Sequence, residues 1–329
     1  MRVERMRRIS LCLALCALSA CATHRKLVAN NLDNAKASEL ELIGTPFFPQ
    51  REFECGPAAL ATVLGASGVE VAPDALTPLV YLPARRGSLQ IEMEAAPRTF
   101  GRLAYPLSRN LNAIIGEVDA GRPVLVLHNY GIPRFPRYHY AVVVGYDSVS
   151  DSILLRSGVT QRQVLSAANF MRAWDNGGRW ALVVLRPGEL PATANATTYL
   201  EAAAGFERKA SPADARLAFD AAIERWPNQP VAWVGRGTAE YRAGSLSAAA
   251  RDYEAALRLD DSNIGARNNL AMTLLELGCP RRAREQIEKV NDTDLKSPLR
   301  EAVLDTRQRL AAVTEKGGRR DSRVCTGTL

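Results

Sequence analysis

The spacing of apolar and polar positions divides the chain near residue 190. Before that point, helix-like segments come first and Val/Leu-rich runs follow. A helix is predicted from Cys55 onward, where Ala58, Ala59, Leu60, Ala61, Val63 and Leu64 continue Gly56-Pro57. A segment at 73–81 and helices over 89–100 and 110–120 come next. Runs at 123–129, 138–146, 152–156 and 180–185 are bounded by Gly, Pro, Asp or Ser, as strand ends are. Helices first and an antiparallel sheet second predict an α+β domain over 42–190. Past Pro187-Gly188 and an Ala/Thr-rich join at 191–198, alanine, arginine and leucine recur with helical spacing, predicting an all-α region. Residues 21–41 are mostly polar and aperiodic, and they read as a tether.

The helical region repeats. Tyr199 and Trp233 stand 34 residues apart, as do Gly244 and Gly278, and the same interval relates Ala215, Ala249 and Ala283, then Phe219, Tyr253 and Ile287, then Ala222, Ala256 and Val290. This period and these residue types resemble the tetratricopeptide repeat. The resemblance implies a solenoid over 196–313: three repeats to about residue 297, with small residues where paired helices approach and a capping helix over 299–313. It also implies a surface for a protein partner. Asp261 stands where the family's terminal proline would be, a position that Pro227 fills in the preceding repeat.

Composition changes the picture at the ends of the chain. With 329 residues, 47% hydrophobic and 23% charged, the sequence is globular and long enough for two domains. Arg2, Arg5, Arg7 and Arg8 precede an apolar run at 9–20, too short for a membrane span and suited to an export signal. Leu18-Ser19-Ala20-Cys21 resembles the bacterial lipobox. That resemblance implies a signal peptide at 1–20, lipidation of Cys21 and a membrane anchor; Ala22, in place of an aspartate after the cysteine, implies the outer membrane, facing the periplasm. Loss of Arg2, Arg5, Arg7, Arg8 and Glu4 with the signal takes the formal net charge from +7 to +4, too little to argue for a nucleic-acid partner. The arginine-rich tail at 314–329 reads as a solvated terminus. Of six cysteines, Cys12 and Cys16 leave with the signal and Cys21 takes the lipid. Cys279 and Cys325 are then available to pair in an oxidising compartment, which would leave Cys55 as the free thiol. No metal-type spacing occurs among them, and no residue pattern asks for a cofactor.

The candidate chemistry lies at 50–60, Gln-Arg-Glu-Phe-Glu-Cys-Gly-Pro-Ala-Ala-Leu. A cysteine at the mouth of a helix feels its positive pole, and that field lowers a thiol pKa toward a nucleophilic thiolate. A thiol nucleophile needs an imidazole to take its proton and return it to the leaving group. Of three histidines, His24 sits beside the predicted anchor, leaving His128 at the end of one predicted strand and His139 at the start of the next. His139 follows a loop rich in proline, arginine and tyrosine and is favoured as the base.

Gln50 ahead of Cys55-Gly56-Pro57-Ala58-Ala59-Leu60, then 121–126 (Gly-Arg-Pro-Val-Leu-Val), then His139-Tyr140-Ala141-Val142-Val143 resemble, in that order, the papain-fold cysteine peptidases of the bacteriocin-processing, double-glycine branch. The resemblance covers 42–186. It implies a papain-like fold, a peptide or protein substrate, Cys55 as nucleophile, His139 as base, and an oxyanion hole made by the Gln50 side chain and the Cys55 N–H. Gln50 stands one position closer to the cysteine than is usual in the family. The family also carries an acid or Asn that orients the imidazole. Asp147 lies eight residues of strand beyond His139, roughly 25 Å at about 3.3 Å per residue, out of reach. A hairpin turning at 147–151 puts Ser157 about where that acid belongs; Asn129, at the same end of the neighbouring strand, is the other candidate. A serine brings no charge to stabilise an imidazolium, so the expected activity ranges from a working cysteine peptidase to a peptide-binding or scaffold lipoprotein that has kept the fold.

Overall fold

The computed structural model describes residues 38–291, 298–315 and 325. The export signal and the lipobox-like Cys21 lie outside the described residues, as does the tail beyond 315 apart from Cys325. The front half is one antiparallel sheet of seven strands: β1 (Glu39–Glu41), β2 (Leu103–Pro106), β3 (Val124–Asn129), β4 (Tyr138–Asp147), β5 (Ser152–Ser157), β6 (Thr160–Ser166) and β7 (Ala181–Leu185). The strands run β2-β7-β3-β4-β5-β6, and β1 pairs with the far end of β4.

Helices cover both faces, which is why β3 and β4 read as nearly unbroken apolar runs. On one face, α1 (Cys55–Ala66) packs Leu60, Val63 and Leu64 against Leu125, Leu127, Tyr140, Val142 and Val144; α2 (Pro73–Val80) and α3 (Gln90–Ala95) close its flank through Leu76, Val80 and Met93. On the other, α4 (Leu111–Asp119) and α5 (Ala167–Asn176) pack Ile114, Val118, Phe170 and Trp174 against Val124, Val126, Ala141 and Val143. Successive residues of one strand serve opposite layers, as the period of two requires.

Four elements carry little sequence signal. β1 is three residues long and falls inside the stretch read as a tether, so the ordered domain begins before residue 42. β2 ends in a proline. β6, an edge strand, is polar and largely exposed along Thr160–Ser166. α5 starts at a Ser166 cap that accepts from the Asn169 N–H. The predicted helix over 89–100 is instead α3 followed by a short 3₁₀ segment, Ala96–Phe100, with Pro97 at its start.

The second half contains α6 (Ala196–Glu207), α7 (Pro212–Arg225), α8 (Pro230–Arg242), α9 (Leu246–Leu259), α10 (Ile264–Glu276), α11 (Pro280–Ile287) and α12 (Leu299–Glu315). Consecutive helices pack on one another, and the residues that recur at 34-residue intervals lie between them: Ala215, Ala249, Ala283, Phe219, Tyr253 and Ile287 are all buried. A Cβ on Gly235 would overlap the Phe219 ring, and one on Gly237 would press on Tyr253, so close helix approach depends on both glycines. Cys279 and Cys325 form a disulfide. No helix among the described residues is long and apolar enough to cross a membrane.

The halves share a core. Tyr199 and Phe206 of α6 lie in one apolar cluster with Leu103, Tyr105 and Leu185. The Asn195 N–H donates to the Tyr105 hydroxyl at 3.2 Å, and the Ala192 N–H donates to Glu117, a buried carboxylate also held by Arg122 at 2.6 Å.

β1 is seated by a single glycine. A Cβ on Gly145 would overlap the Leu40 carbonyl oxygen and come within 3.0 Å of the Glu41 Cα, so Gly145→Ala must push β1 off the sheet. The expected cost is about 1–3 kcal/mol, the range for overpacking a filled interior, measurable as a lowered midpoint in urea unfolding.

Candidate active site

Cys55 is the first residue of α1, at half-buried depth, and no side chain caps the helix start. Gly56 is required beside it, because a Cβ there would overlap the Ser88 hydroxyl and crowd Met93. The sulfur faces the backbone N–H groups of Tyr140, Gly56 and Cys55 itself. Burial raises the thiol pKa above its ordinary value, and those three donors only partly offset it. The expected lowering at a helix N-terminus is therefore corrected: the helix start is present, but α1 is sunk in the core, so desolvation prevails.

His139 is the second residue of β4, and its Nε2 lies 2.9 Å from the Ser157 hydroxyl at the end of β5. Burial holds the imidazole below its ordinary pKa. Nδ1 makes no hydrogen bond among the described residues. The link to Ser157 depends on the next two residues. Ser157 pairs with Thr160 across Gly158-Val159, and Gly158 has φ +61°, which fits a two-residue hairpin turn with glycine first. The same turn places Gln50, whose N–H donates to the Gly158 carbonyl at 3.1 Å. One glycine thus locates both the group behind His139 and the loop carrying Gln50.

Asn129 is committed elsewhere. Its Oδ1 accepts from the Gly131 and Arg137 N–H groups at 2.9 and 2.8 Å, shaping the 130–137 loop. His128 sits opposite His139 in the β3/β4 register but is fully buried, with Nδ1 2.8 Å from the Tyr130 hydroxyl and its ring edge-on to Phe170. Burial, and the neighbouring His139, depress its pKa to about 3. It is a neutral core residue.

Gln50, Cys55, His139 and Ser157 line one open cleft of about 890 Å³. Its floor continues into a small cavity between Gln50, Cys55, Thr62, Tyr140 and Arg156. Arg156 is a site residue that sequence reasoning missed. Its guanidinium is buried, reaches Glu41 at 3.2 Å and the Gln161 carbonyl at 2.8 Å, and leaves Nε unpaired. Burial would raise the Glu41 carboxyl, but Arg162 and Arg156 overcome it and hold it below its ordinary value. Phe53 was missed as well. It sits at the cleft mouth with φ +65°, its ring 5.7 Å from the Arg86 guanidinium. No group of three His, Cys, Asp or Glu that would hold a metal ion occurs among the described residues.

Residues 42–181 match the model of the Peptidase_C39 like family. Among solved structures, a putative C39-like peptidase from Bacillus anthracis aligns at 16% identity and a TM-score of 0.37, over 45% of this chain and 98% of that one. The peptidase domain of Streptococcus ComA, a bifunctional ABC transporter of a quorum-sensing pathway, aligns at 20% identity and a TM-score of 0.36, over 43% of this chain and 98% of that one. No curated protein matches the chain. The family match covers five of the seven strands, β2 to β6 in chain order, and both cleft walls, and it supports a cysteine peptidase-like domain with a peptide or protein substrate.

Cys55 and His139 line the same cleft, and burial favours the neutral form of each, lifting the thiol pKa and lowering that of the imidazole. Among the described residues Cys55 is the free thiol. Its alkylation by iodoacetamide, followed by peptide mapping, is expected to be slower at pH 7 than that of an unstructured cysteine peptide. The rate should rise with a midpoint above the usual value of about 8.5. A midpoint at or below that of the control peptide would show that the thiolate is stabilised in the fold.

Proposed function

We propose that the chain is a cysteine peptidase in which Cys55 is the nucleophile, His139 the proton shuttle, and Gln50 with the Cys55 N–H the oxyanion donors. The observation that supports it is the convergence of these four groups on one cleft within the segment matching the peptidase family. His139 Nδ1 takes the thiol proton as the sulfur bonds to the peptide carbonyl carbon. The carbonyl electron pair moves onto oxygen, facing Gln50 and the start of α1. Collapse of this adduct expels the amine, which takes the proton back from His139. Water, deprotonated by the same imidazole, then hydrolyses the thioester and frees the thiol. Because the resting pair is neutral, proton transfer accompanies attack rather than preceding it.

The weak point of this machinery is Ser157. An aspartate accepts only, so it fixes the proton on Nε2 and stabilises the imidazolium. A hydroxyl both donates and accepts, and it fixes neither. That observation favours the second reading, a domain that binds peptides and cuts them slowly or not at all within an envelope scaffold. The two are separated by hydrolysis of a fluorogenic peptide pool. Cys55→Ala is expected to drop the rate to background, and Gln50→Ala to lower kcat by about 10²-fold, the usual loss for one oxyanion donor. Unchanged turnover in Cys55→Ala would remove the peptidase reading. Ser157→Asp is expected to raise kcat/KM at pH 7 by about tenfold or more and to speed Cys55 alkylation, because a carboxylate against Nε2 raises the imidazole pKa.

The remaining assignments are part of the same proposal. The helices over 196–313 are tetratricopeptide repeats with α12 as the cap, supported by the 34-residue period and the burial of its recurring positions. They would present a surface to a protein partner. Cys21 carries a lipid that anchors the chain to the bacterial outer membrane, facing the periplasm. The Cys279–Cys325 disulfide supports an oxidising compartment. Mass spectrometry of the protein from a bacterial membrane fraction tests the anchor: an N-terminus at Cys21 without acyl mass would refute it.

A further inference from the structure

The charge of the cleft wall is one-sided. Arg85, Arg86 and Arg137 line it, together with Phe53, Leu89, Tyr130 and Tyr138, and no carboxylate among the described residues does. None of the three arginines forms a salt bridge among the described residues, so their charges are not already answered by a carboxylate within the fold. Arg86 instead lies over the Phe53 ring.

Both arginine-bearing loops are held in place. The 82–87 turn is closed by the Leu82 N–H donating to the Gly87 carbonyl at 2.8 Å, with Arg86 left-handed at φ +47°. The 130–137 loop is closed by the Tyr130 N–H on the Arg137 carbonyl at 3.0 Å and by the Asn129 carboxamide. Gly131 is needed there, since a Cβ would overlap the Phe135 carbonyl oxygen. Guanidinium groups on preformed loops pay little ordering cost when an anion arrives, and beside a partly enclosed cleft their fields add.

We infer that the substrate of this cleft is an acidic peptide segment, carrying Asp or Glu side chains on either side of the bond presented to Cys55, with an aromatic or aliphatic residue seated against Phe53, Tyr130 and Tyr138. Arg85 and Arg86 on one wall and Arg137 on the other take carboxylates flanking the reacting centre. A peptide fits better than a polynucleotide because the cleft leads to a thiol and an oxyanion site. The inference rests on the peptidase reading for the identity of the reacting bond, but the charge preference is separable from cleavage.

The test uses the full chain carrying Cys55→Ser, so that binding is read without turnover. Fluorescence anisotropy is measured for three labelled dodecapeptides of one sequence, with four positions all Glu, all Gln or all Lys. The Glu peptide is expected to bind about tenfold more tightly than the Gln peptide, as three modest exposed charge pairs together would give. The advantage should shrink as salt rises from 50 to 500 mM. Arg85→Gln/Arg86→Gln/Arg137→Gln should abolish the difference between the Glu and Gln peptides while leaving the far-UV spectrum unchanged. Equal affinity for Glu and Gln peptides overturns the inference, whether or not the wild-type chain cuts them. Tight binding of the Glu peptide without cleavage by the wild type keeps the inference and removes the peptidase reading. Displacement of the Glu peptide by an equimolar single-stranded oligonucleotide would also overturn it, assigning the cleft to polyanions at large.

Discussion

A guanidinium enclosed in protein has to be answered by a carboxylate, and Arg156 is enclosed: its side chain is 4% exposed. Taking its partner away would leave an unpaired buried charge, a loss of about 3–5 kcal/mol. The partner is Glu41, so the short strand β1 is fastened to the sheet by charge as much as by backbone pairing. Gly145 makes room for that strand and Arg162 adds a second cation to the same carboxylate at 2.7 Å. This ion pair secures the end of β5, and the end of β5 is where the site is assembled. Ser157 follows Arg156, Gly158 follows Ser157, and the Gly158 carbonyl fixes Gln50.

From that arrangement follows the electrostatic character of the site. The helix start offers backbone donors to the sulfur, yet burial of Cys55 outweighs them. The hydroxyl of Ser157 supplies position to His139 without supplying charge. An ion pair between thiolate and imidazolium needs a charge that compensates the desolvation of both, and the buried cation nearest the cavity, Arg156, already spends its field on Glu41. Burial thus favours the neutral forms of both Cys55 and His139 at rest. Any catalysis must create its charges during the reaction, where the α1 N–H groups and Gln50 would meet them.

Much of this was legible in the sequence, for identifiable reasons. α1, β3, β4 and β5 carry dense apolar patterns, because each is buried on its packed face or on both. The hairpin arithmetic that excluded Asp147 and pointed to Ser157 needed only the period of two and the position of the turn. The two-way choice between Ser157 and Asn129 was not resolvable there, since it depends on Asn129 finding the loop N–H groups of Gly131 and Arg137. β1 and β6 escaped because an edge or three-residue strand is defined by its partners and not by its own composition. The sign of the Cys55 shift escaped for a related reason: the helix-terminus field is local in sequence, whereas desolvation is set by the apolar cluster that distant elements build against Cys55.

The same dependence on distant residues bears on how the helical half relates to the sheet. The linear pattern suggests two separable domains joined near residue 190, but α6 is a wall of the front domain's core. Tyr105 in β2 is capped by Asn195, Tyr199 is fully buried with its hydroxyl donating to the Glu189 and Ala218 carbonyls, and Glu117 needs the Ala192 N–H. A cut at residue 195 would strip Tyr199 and Phe206 from an apolar cluster that includes Leu103 and Leu185 and bare the outer edge strand β2. Loss of activity on such a truncation would therefore report the sheet's stability before it reported any role of the repeats. The function of the helices is better read from substitutions beyond the shared core, on α9 to α12, whose own cluster around Tyr253, Leu270 and Leu274 contains no residue of the sheet.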